Sequence, residues 1–385
     1  MSYDLRQRAE SGDARNSNGS ATQTVGKQTL VQMNRSGDSP VQLLGPSAGD
    51  IAVAPGPIPR DKLEPVIREH RAARPHQTTA DPSSRFGTAV MDLWTWCSTN
   101  IPNPSDMQTY AASPVDDTVK QRTIGLLAAR RARLEFLLGW LLQGGVQSNN
   151  TDWETYGGSN AEGTDSSSNA GPIVSEYSRG TTRSYGLRNH DWCGMFVGFA
   201  YGRVGMPERG VDPASNPHND LSSATEARNW INNPGRTRQN GEQTILPEQL
   251  AAGARPQAGD LAVFRDHVSM IEDYDASTGV ISTVDGNVGL HRNNMSAGVS
   301  GFAADTTALQ SLHGGLWMLW RPGLESFGAA ATAPGAATAD NSAGDALVQQ
   351  LDNACRQLIA VYRGQGIAGG VAEGRTVAAM AEASP

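Results

Sequence analysis

The spacing of apolar residues predicts two kinds of element along the chain. After Cys193, apolar side chains recur at steps of three and four, which is typical of a helix with one buried face. From Asp260 onward the period changes to two, which predicts a meander of short strands. The helical positions are Met195, Phe196, Phe199, Ala200 and Val204, and the strand positions are Leu261, Val263, Val268, Met270, Val280, Ile281 and Val284.

Further elements are predicted on both sides of these two regions. Helices are expected over residues 119–143, 172–177, 224–231 and 345–363, and a last strand over 316–320. The C-terminal helix has one apolar face, so it either packs back on the domain or binds a partner. Helices followed by antiparallel strands place the chain in the α+β class.

Composition divides the chain into five segments. Residues 1–85 are rich in Ser, Gly, Asn, Gln and Pro, which predicts a mostly disordered leader. Residues 86–123 are interpreted as a helical or irregular connector, and residues 124–323 as a folded domain. Residues 324–344 are an Ala/Gly/Pro/Thr linker that we expect to be flexible, and residues 345–385 are an amphipathic helix with a frayed tail.

Charge and composition exclude several functions. The 385 residues carry a formal net charge of −8, whereas a general nucleic-acid binder would present a basic face. The most membrane-like run, residues 134–142, is too short to span a bilayer, so no membrane insertion is expected. Residues 1–8 lack the apolar core of a Sec-type signal peptide, which predicts synthesis in the cytoplasm. Action in the periplasm or cell wall would then require another route of export.

The three cysteines lie far apart in sequence, so no disulfide framework, zinc site or redox motif is indicated. Cys193 would lie in the first turn of its helix with Asp191 as the N-cap, where the helix dipole and free N–H groups stabilise a thiolate. A thiolate is the nucleophilic form of cysteine, which favours a reactive cysteine here. The alternative, a buried free cysteine at the start of a core helix, has equal weight on these residues alone. Cys97 and Cys355 are interpreted as core residues.

A cysteine nucleophile needs a base and a group that orients the base. His267 begins a predicted strand, whereas the other six histidines fall in the leader, in loops or at strand edges. If residues 275–279 form a five-residue turn, His267 faces Asn287 across the hairpin, and Asp285 shares that face. Either side chain can accept a hydrogen bond from the imidazole, but a slip of one residue would place both on the opposite face.

Four segments follow one another in the order Cys before His: residues 192–197, 255–264, 267–271 and 284–287. Together they resemble the CHAP family (cysteine, histidine-dependent amidohydrolase/peptidase), which has a papain-like fold and belongs to the NlpC-type peptidoglycan hydrolases. The resemblance covers residues 124–323, which would be the catalytic domain. Residues 171–177 are similar to the family's helix before the cysteine, and residues 316–322 to its closing strand.

The resemblance implies a role for each candidate catalytic residue. Cys193 corresponds to the nucleophile and His267 to the general base and acid. The family often has Glu where this chain has Asp285, and it keeps an Asn like Asn287, so the sequence leaves open which of the two orients the imidazole.

The remaining expectations concern the oxyanion and the cleft. The backbone N–H of Cys193 is the natural first oxyanion donor, and the hydroxyl of Tyr177 or Tyr185 is a candidate for the second. Trp192 either lines the cleft or packs under the sheet. No segment resembles a calcium-binding EF-hand loop, so neither a metal nor a cofactor is expected.

These expectations lead to a cysteine peptidase or amidase that cleaves peptidoglycan peptides. Two alternatives stay open: an inactive structural or adaptor protein with a papain-like fold, and a papain-like toxin that acts on a host protein. Residues 26–32 resemble the Gly-Lys-x-Thr-Leu segments near the start of many proteins linked to bacterial contractile injection systems and polymorphic toxins. The alternative for this segment is a chance match. As cargo, the protein would be an injected effector that meets a secretion or injection apparatus through residues 1–85.

Overall fold

The computed structural model of the chain describes residues 56–72, 85–142, 177, 193–206, 221, 223–235, 237–277, 279–290, 293–303, 314–329, 332 and 337–364. The helices are α1 (Arg60–Ala72), α2 (Arg85–Asn100), α3 (Pro104–Ala111), α4 (Asp117–Leu142), α5 (Cys193–Arg203), α6 (Ala224–Ile231), α7 (Pro247–Ala251) and α8 (Ser342–Gly364), with a 3-10 helix at Leu324–Phe327. The strands are β1 (Gln243–Ile245), β2 (Leu261–Phe264), β3 (Val268–Asp275), β4 (Val280–Leu290), β5 (Asn293–Ala303) and β6 (Leu316–Arg321). None of the helices described here combines the length and the apolar composition that crossing a membrane requires.

The strands form one antiparallel sheet in the order β1-β6-β2-β3-β4-β5. Strands β2 to β5 follow one another as hairpins, and β6 returns to lie between β1 and β2. The α+β class and the meander are therefore confirmed. Strands β1 and β5 and helix α7 were not predicted, because their sequences lack a sustained apolar alternation.

The β3–β4 hairpin has a different turn from the predicted one. Asp275 pairs directly with Val280, so the turn is one residue shorter than expected. Glu272 is then an extra residue in β3, and this β-bulge shifts the register by one. Beyond the bulge Met270 pairs with Val284, as the sequence predicted. The predicted length of the turn was wrong, but the predicted register near the candidate site is confirmed.

Helix α4 lies at the centre of the molecule, where it contacts α2, α5, α8 and strands β3 to β5. Two glycines allow it to approach the loop before β2. A Cβ atom on Gly259, which has a φ of +83°, would lie 2.2 Å from the carbonyl oxygen of Gly125 in α4. The hydroxyl of Tyr201 in α5 donates to the carbonyl oxygen of Gly259 at 2.6 Å. Both helices are thus fixed against the same loop of the sheet.

The prediction of a mostly disordered leader over residues 1–85 is wrong for residues 56–72. They include α1, whose Leu63 and Val66 are fully buried in the core. The buried side-chain amide of Gln357 in α8 accepts from the backbone N–H of Ile58 at 2.9 Å and donates to its carbonyl oxygen at 3.1 Å. These residues therefore form part of the core.

The C-terminal helix α8 packs back on the domain. Its Asp352 carboxylate lies 2.9 Å from Arg130 Nε of α4. Cys355 is buried on the apolar face, as the pattern predicted. Of the two alternatives for this helix, docking on the core is the one that the structure adopts.

The expectation of a flexible linker over residues 324–344 is also wrong for the described part of that segment. Leu324 and Phe327 in the 3-10 helix are buried. The backbone N–H of Thr332 donates to Asp117 Oδ1 at 3.0 Å, and Thr338 forms a parallel β-bridge with Val115. Small residues made this segment look like a linker, but its backbone is hydrogen-bonded to the helical core.

The connector over residues 86–123 is helical and belongs to the core. The guanidinium group of Arg131 in α4 is fully buried and donates to the carbonyl oxygens of Cys97 at 3.1 Å and Ile101 at 2.7 Å. Cys97 lies in the last turn of α2, where its carbonyl oxygen also accepts from the N–H of Ile101, and Ile101 directly follows the helix. Arg131 therefore caps α2, and the connector is not an independent segment.

Candidate active site

Cys193 is the first residue of α5, and eight of the first nine residues of this helix are buried. The predicted position of the cysteine in the first helical turn is therefore confirmed. The first N–H groups of a helix have no acceptor within the helix, so they are available to an anion. Asp191, the predicted N-cap, lies outside the described residues.

His267 lies on the tight turn between β2 and β3, one residue before β3 begins. Its carbonyl oxygen accepts from the N–H of Phe264 at 2.9 Å, which closes the turn. The neighbouring Arg265 N–H donates to the carbonyl oxygen of Gly315 at the start of β6, also at 2.9 Å. Two backbone hydrogen bonds thus fix the turn at the rim of the sheet, where the imidazole reaches both the sheet and α5.

The imidazole joins the cysteine to the carboxylate. Its Nε2 atom lies 3.1 Å from Oδ1 of Asp285 in β4, and the ring also forms a hydrogen bond with the Cys193 side chain. Because Nε2 faces Asp285, Nδ1 is the nitrogen left for the sulfur. Cys193, His267 and Asp285 are 2%, 5% and 0% exposed, so the three groups interact away from bulk water.

Asp285 is held by two hydroxyl groups besides the imidazole. Ser269 Oγ donates to Oδ1, the oxygen that faces His267, and Thr283 Oγ1 donates to Oδ2 at 2.9 Å. Alternation along β3 and β4 places Ser269, Thr283 and Asp285 on the same face of the sheet. The carboxylate therefore has a hydroxyl donor on each oxygen in addition to its contact with the imidazole.

The surroundings of His267 favour its protonated form. Burial alone would lower the pKa of the imidazole, since it disfavours the charged ring. The negative charge of Cys193 and the hydrogen bonds to Asp285 and Cys193 outweigh burial and raise the pKa from 6.5 to about 10. His267 therefore carries a proton at neutral pH that it can transfer to a leaving amine.

The other two cysteines have a different environment. Burial raises the pKa of Cys97 and of Cys355 to about 12, even though arginine side chains nearby act in the opposite direction. Both remain thiols at neutral pH, and a thiol is a poor nucleophile. Their interpretation as core residues agrees with this chemistry.

The hydroxyl of Tyr177, a predicted oxyanion donor, makes a different contact in the structure. Its hydroxyl donates to Glu135 Oε2 in α4 at 2.7 Å, and a hydroxyl has only one hydrogen to give. The ring packs on Phe196 and Phe199 of α5, with centroid distances of 5.7 Å and 4.8 Å. Glu135 also accepts from Trp94 Nε1 at 2.7 Å. The ring of Tyr177 therefore packs against α5, and its hydroxyl hydrogen is given to Glu135 and not to an oxyanion.

Three other predicted site residues cannot be placed in the same way. Trp192 and Tyr185 lie outside the described residues. Asn287 belongs to β4 by its backbone, but its side chain is outside the described part. Of the two candidates for orienting His267, Asp285 is the one whose contact is observed.

Sequence reasoning missed Ser269 and Thr283. Both could have been found from the alternation, because Ser269 lies two residues after His267 and Thr283 lies two residues before Asp285. A short polar residue at such a position in an otherwise apolar strand indicates a buried partner.

Within the ranges that the structure describes, no group of three or more His, Cys, Asp or Glu side chains could hold a metal ion.

A cavity of about 510 Å³ lies at the C-terminal end of α5, between Met107, Arg203 and Phe327. It contains none of the candidate catalytic residues, so it is separate from the site at Cys193.

Comparisons of the chain with protein-family models, with curated proteins and with solved structures give no match. The functional assignment therefore depends on the geometry of the site and on the resemblance of its segments.

Proposed function

We propose that the protein is a cysteine-dependent amide hydrolase with a papain-like arrangement that cleaves peptidoglycan peptides, as an amidase or an endopeptidase. The observation that carries the proposal is the hydrogen-bonded series Cys193, His267 and Asp285, with the cysteine at a helix N-terminus. A nucleophile, an acid–base group and an orienting carboxylate in contact are the elements of covalent amide hydrolysis.

Each group has one task in the proposed reaction. The sulfur of Cys193 attacks the amide carbonyl, and the N–H groups at the start of α5 bind the oxyanion. His267 gives its proton to the leaving amine and then takes one from the water that releases the acyl group. Asp285 keeps the imidazole in the orientation in which Nδ1 faces the sulfur. All three side chains are nearly buried, so the charges act in a medium that screens them little.

The choice of peptidoglycan as substrate comes from the resemblance to the CHAP family, since the triad itself is compatible with any amide or thioester. Purified sacculi incubated with the protein should become soluble, and mass spectrometry of the products identifies the bond that is cut. Cys193→Ala should abolish this release. Cys97→Ala is the matched control, because it removes a buried thiol that is not part of the site. Release that persists in Cys193→Ala would refute the mechanism.

The two alternative functions predict different results in the same assay with purified sacculi. Intact sacculi together with selective alkylation of Cys193 would favour a hydrolase with another substrate, such as a host protein. Intact sacculi with no difference in alkylation among Cys97, Cys193 and Cys355 would favour the inactive adaptor.

A further inference from the structure

The carboxylate of Asp285 makes more contacts than the orientation of one imidazole requires. Ser269 Oγ and His267 Nε2 converge on the same oxygen, Oδ1, and Thr283 Oγ1 donates to Oδ2 at 2.9 Å. Ser269 and Thr283 are each 1% exposed. The group is thus formed by side chains of two neighbouring strands that are almost inaccessible to solvent.

We infer that Ser269 and Thr283 are positioning residues of the candidate active site, which act on the reaction through Asp285. This inference rests on the proposed function, since it assigns residues to the same site. Neither hydroxyl touches the sulfur or the substrate carbonyl in the proposed reaction.

The two hydroxyls fix the direction of the carboxylate. A carboxylate with donors on one oxygen alone is less restricted in its rotation about the Cβ–Cγ bond than one with donors on both oxygens. With Thr283 on Oδ2 and Ser269 on Oδ1, both oxygens are fixed, so Oδ1 stays in line with Nε2 of His267. The imidazole is then held with Nδ1 toward Cys193 during both halves of the reaction.

The two hydroxyls also avoid a second cation beside Asp285. Neutral hydroxyl donors satisfy the carboxylate oxygens without a positive charge that would compete with the imidazolium of His267. The attraction between Asp285 and the imidazole is therefore not shared with another cation at these two positions.

A merely structural role for the hydroxyls makes a different prediction from a positioning role. If they only satisfy a buried acceptor, their removal lowers stability and leaves the pH profile of the folded enzyme unchanged. If they position Asp285, their removal weakens the hydrogen bond that raises the pKa of His267, so the alkaline limb of the pH profile of hydrolysis moves to lower pH.

The test compares Ser269→Ala, Thr283→Val and the double variant with Thr283→Ser, which keeps the hydroxyl, and with Thr123→Val. Thr123 is a matched control, since its buried hydroxyl accepts from Asn341 Nδ2 at 3.1 Å, away from the site. Three quantities are measured for each folded variant: kcat/KM on sacculus-derived peptides against pH, the rate of Cys193 alkylation by iodoacetamide against pH, and the titration of His267 by NMR.

We expect each single removal to lower kcat/KM about tenfold, as befits a lost hydrogen bond to a charged group. The double variant should lose more. Its His267 titration and the alkaline limb of hydrolysis should move to lower pH, with a corresponding change in the alkylation profile. Thr283→Ser should restore most of the rate, and Thr123→Val should change neither rate nor profile. If Ser269→Ala fails to fold, the comparison of Thr283→Val with Thr283→Ser decides the same point.

The outcomes separate this inference from the proposed function. Unchanged pH profiles and an unchanged His267 titration in the double variant overturn the inference, even if the wild type hydrolyses peptidoglycan. A shifted His267 titration and a shifted alkylation profile support the inference, even if no peptidoglycan is cleaved.

Discussion

Nε2 of His267 lies 3.1 Å from Oδ1 of Asp285, and a β-bulge between them in the hairpin makes this contact possible. Asp275 pairs with Val280 at the turn, and without the extra residue Glu272 the same register would place Asp285 opposite Met270. Its side chain would then lie on the other face of the sheet. The bulge therefore turns the carboxylate toward the imidazole, as bulges beside functional sites commonly do.

Removing the charge of Asp285 should disable the site while the fold persists. Asp285→Asn keeps the size of the side chain and an acceptor on one atom, but it no longer balances the imidazolium. We expect kcat/KM on peptidoglycan peptides to fall by roughly 10³- to 10⁴-fold, as for the orienting aspartate of other triads. An unchanged circular dichroism spectrum checks the fold, and a loss of less than about threefold would mean that Asp285 does not orient His267.

Glu272 anchors the bulge, so its removal should cost stability. Its Oε1 lies 3.2 Å from Arg130 Nη1 and 3.0 Å from Arg133 Nη1, and Glu272→Ala would leave these buried cations without that partner. We expect a loss of about 3 kcal/mol in the free energy of unfolding, measured with urea. Asp352→Ala is the matched control, because Asp352 also contacts Arg130 but is 23% exposed, and it should cost less. Equal losses of unfolding free energy in the two variants would show that the contacts of Glu272 in the bulge stabilise the fold no more than the contact of Asp352.

The protonation of His267 should make stability depend on pH. The pKa is about 10 in the folded protein against an ordinary value of 6.5, so the folded state binds the proton more tightly than the unfolded chain. The resulting stabilisation is complete below pH 6.5 and is lost as the pH rises toward 10. Urea unfolding of wild type and His267→Gln at several pH values tests this. The difference in stability between the two should shrink at high pH, and a difference that stays constant would refute the raised pKa.

Truncation should distinguish the two parts of the predicted leader. A chain without residues 1–50 keeps every contact that the structure describes, so its thermal midpoint should match the wild type. A chain without residues 1–72 also loses the burial of Leu63 and Val66 and the bond from Ile58 to Gln357. Its midpoint should fall by roughly 5–10 °C in a calorimetric scan. Equal midpoints for both truncations would show that α1 adds nothing to the core.

The shorter truncation also tests the proposed delivery. If the part of residues 1–85 that addresses the protein to an injection or secretion apparatus lies within residues 1–50, removal of residues 1–50 should block export and leave hydrolysis of sacculi unchanged. Unchanged export would place the address elsewhere in the chain.

The sequence predicted the elements whose buried faces repeat over two or more turns or pleats. Helix α5, the meander and the C-terminal helix were found because Leu, Val, Met and Phe recur at a constant period. Strand β5 was missed because Gly, Ser and Asn fill most of its positions, and local alternation cannot show that a strand pairs with β4. Helix α1 was missed because its surroundings are rich in Pro and polar residues. The hydrogen bonds that fix Ile58, just before the helix, come from Gln357, which lies 299 residues away.

Prediction of the site was limited in the same way, because local patterns do not show contacts between distant parts of the chain. Cys193, His267 and Asp285 could be named because each lies at the end or on one face of a periodic element. Tyr177 was misassigned because its partner Glu135 belongs to a different helix, and no local pattern links the two. The β-bulge was also not predictable, since nothing in the residues around Glu272 shows that this stretch of β3 has one residue more than the stretch of β4 with which it pairs.

The most direct test of the account is the rate at which iodoacetamide alkylates Cys193 near neutral pH, followed by mass spectrometry of the modified peptides. This measurement needs no substrate, and it reports whether the imidazole activates the sulfur. We predict that Cys193 reacts at least tenfold faster than Cys97 and Cys355, and that His267→Gln removes this advantage. A rate at Cys193 that matches the other two cysteines, or that His267→Gln leaves unchanged, would contradict the account.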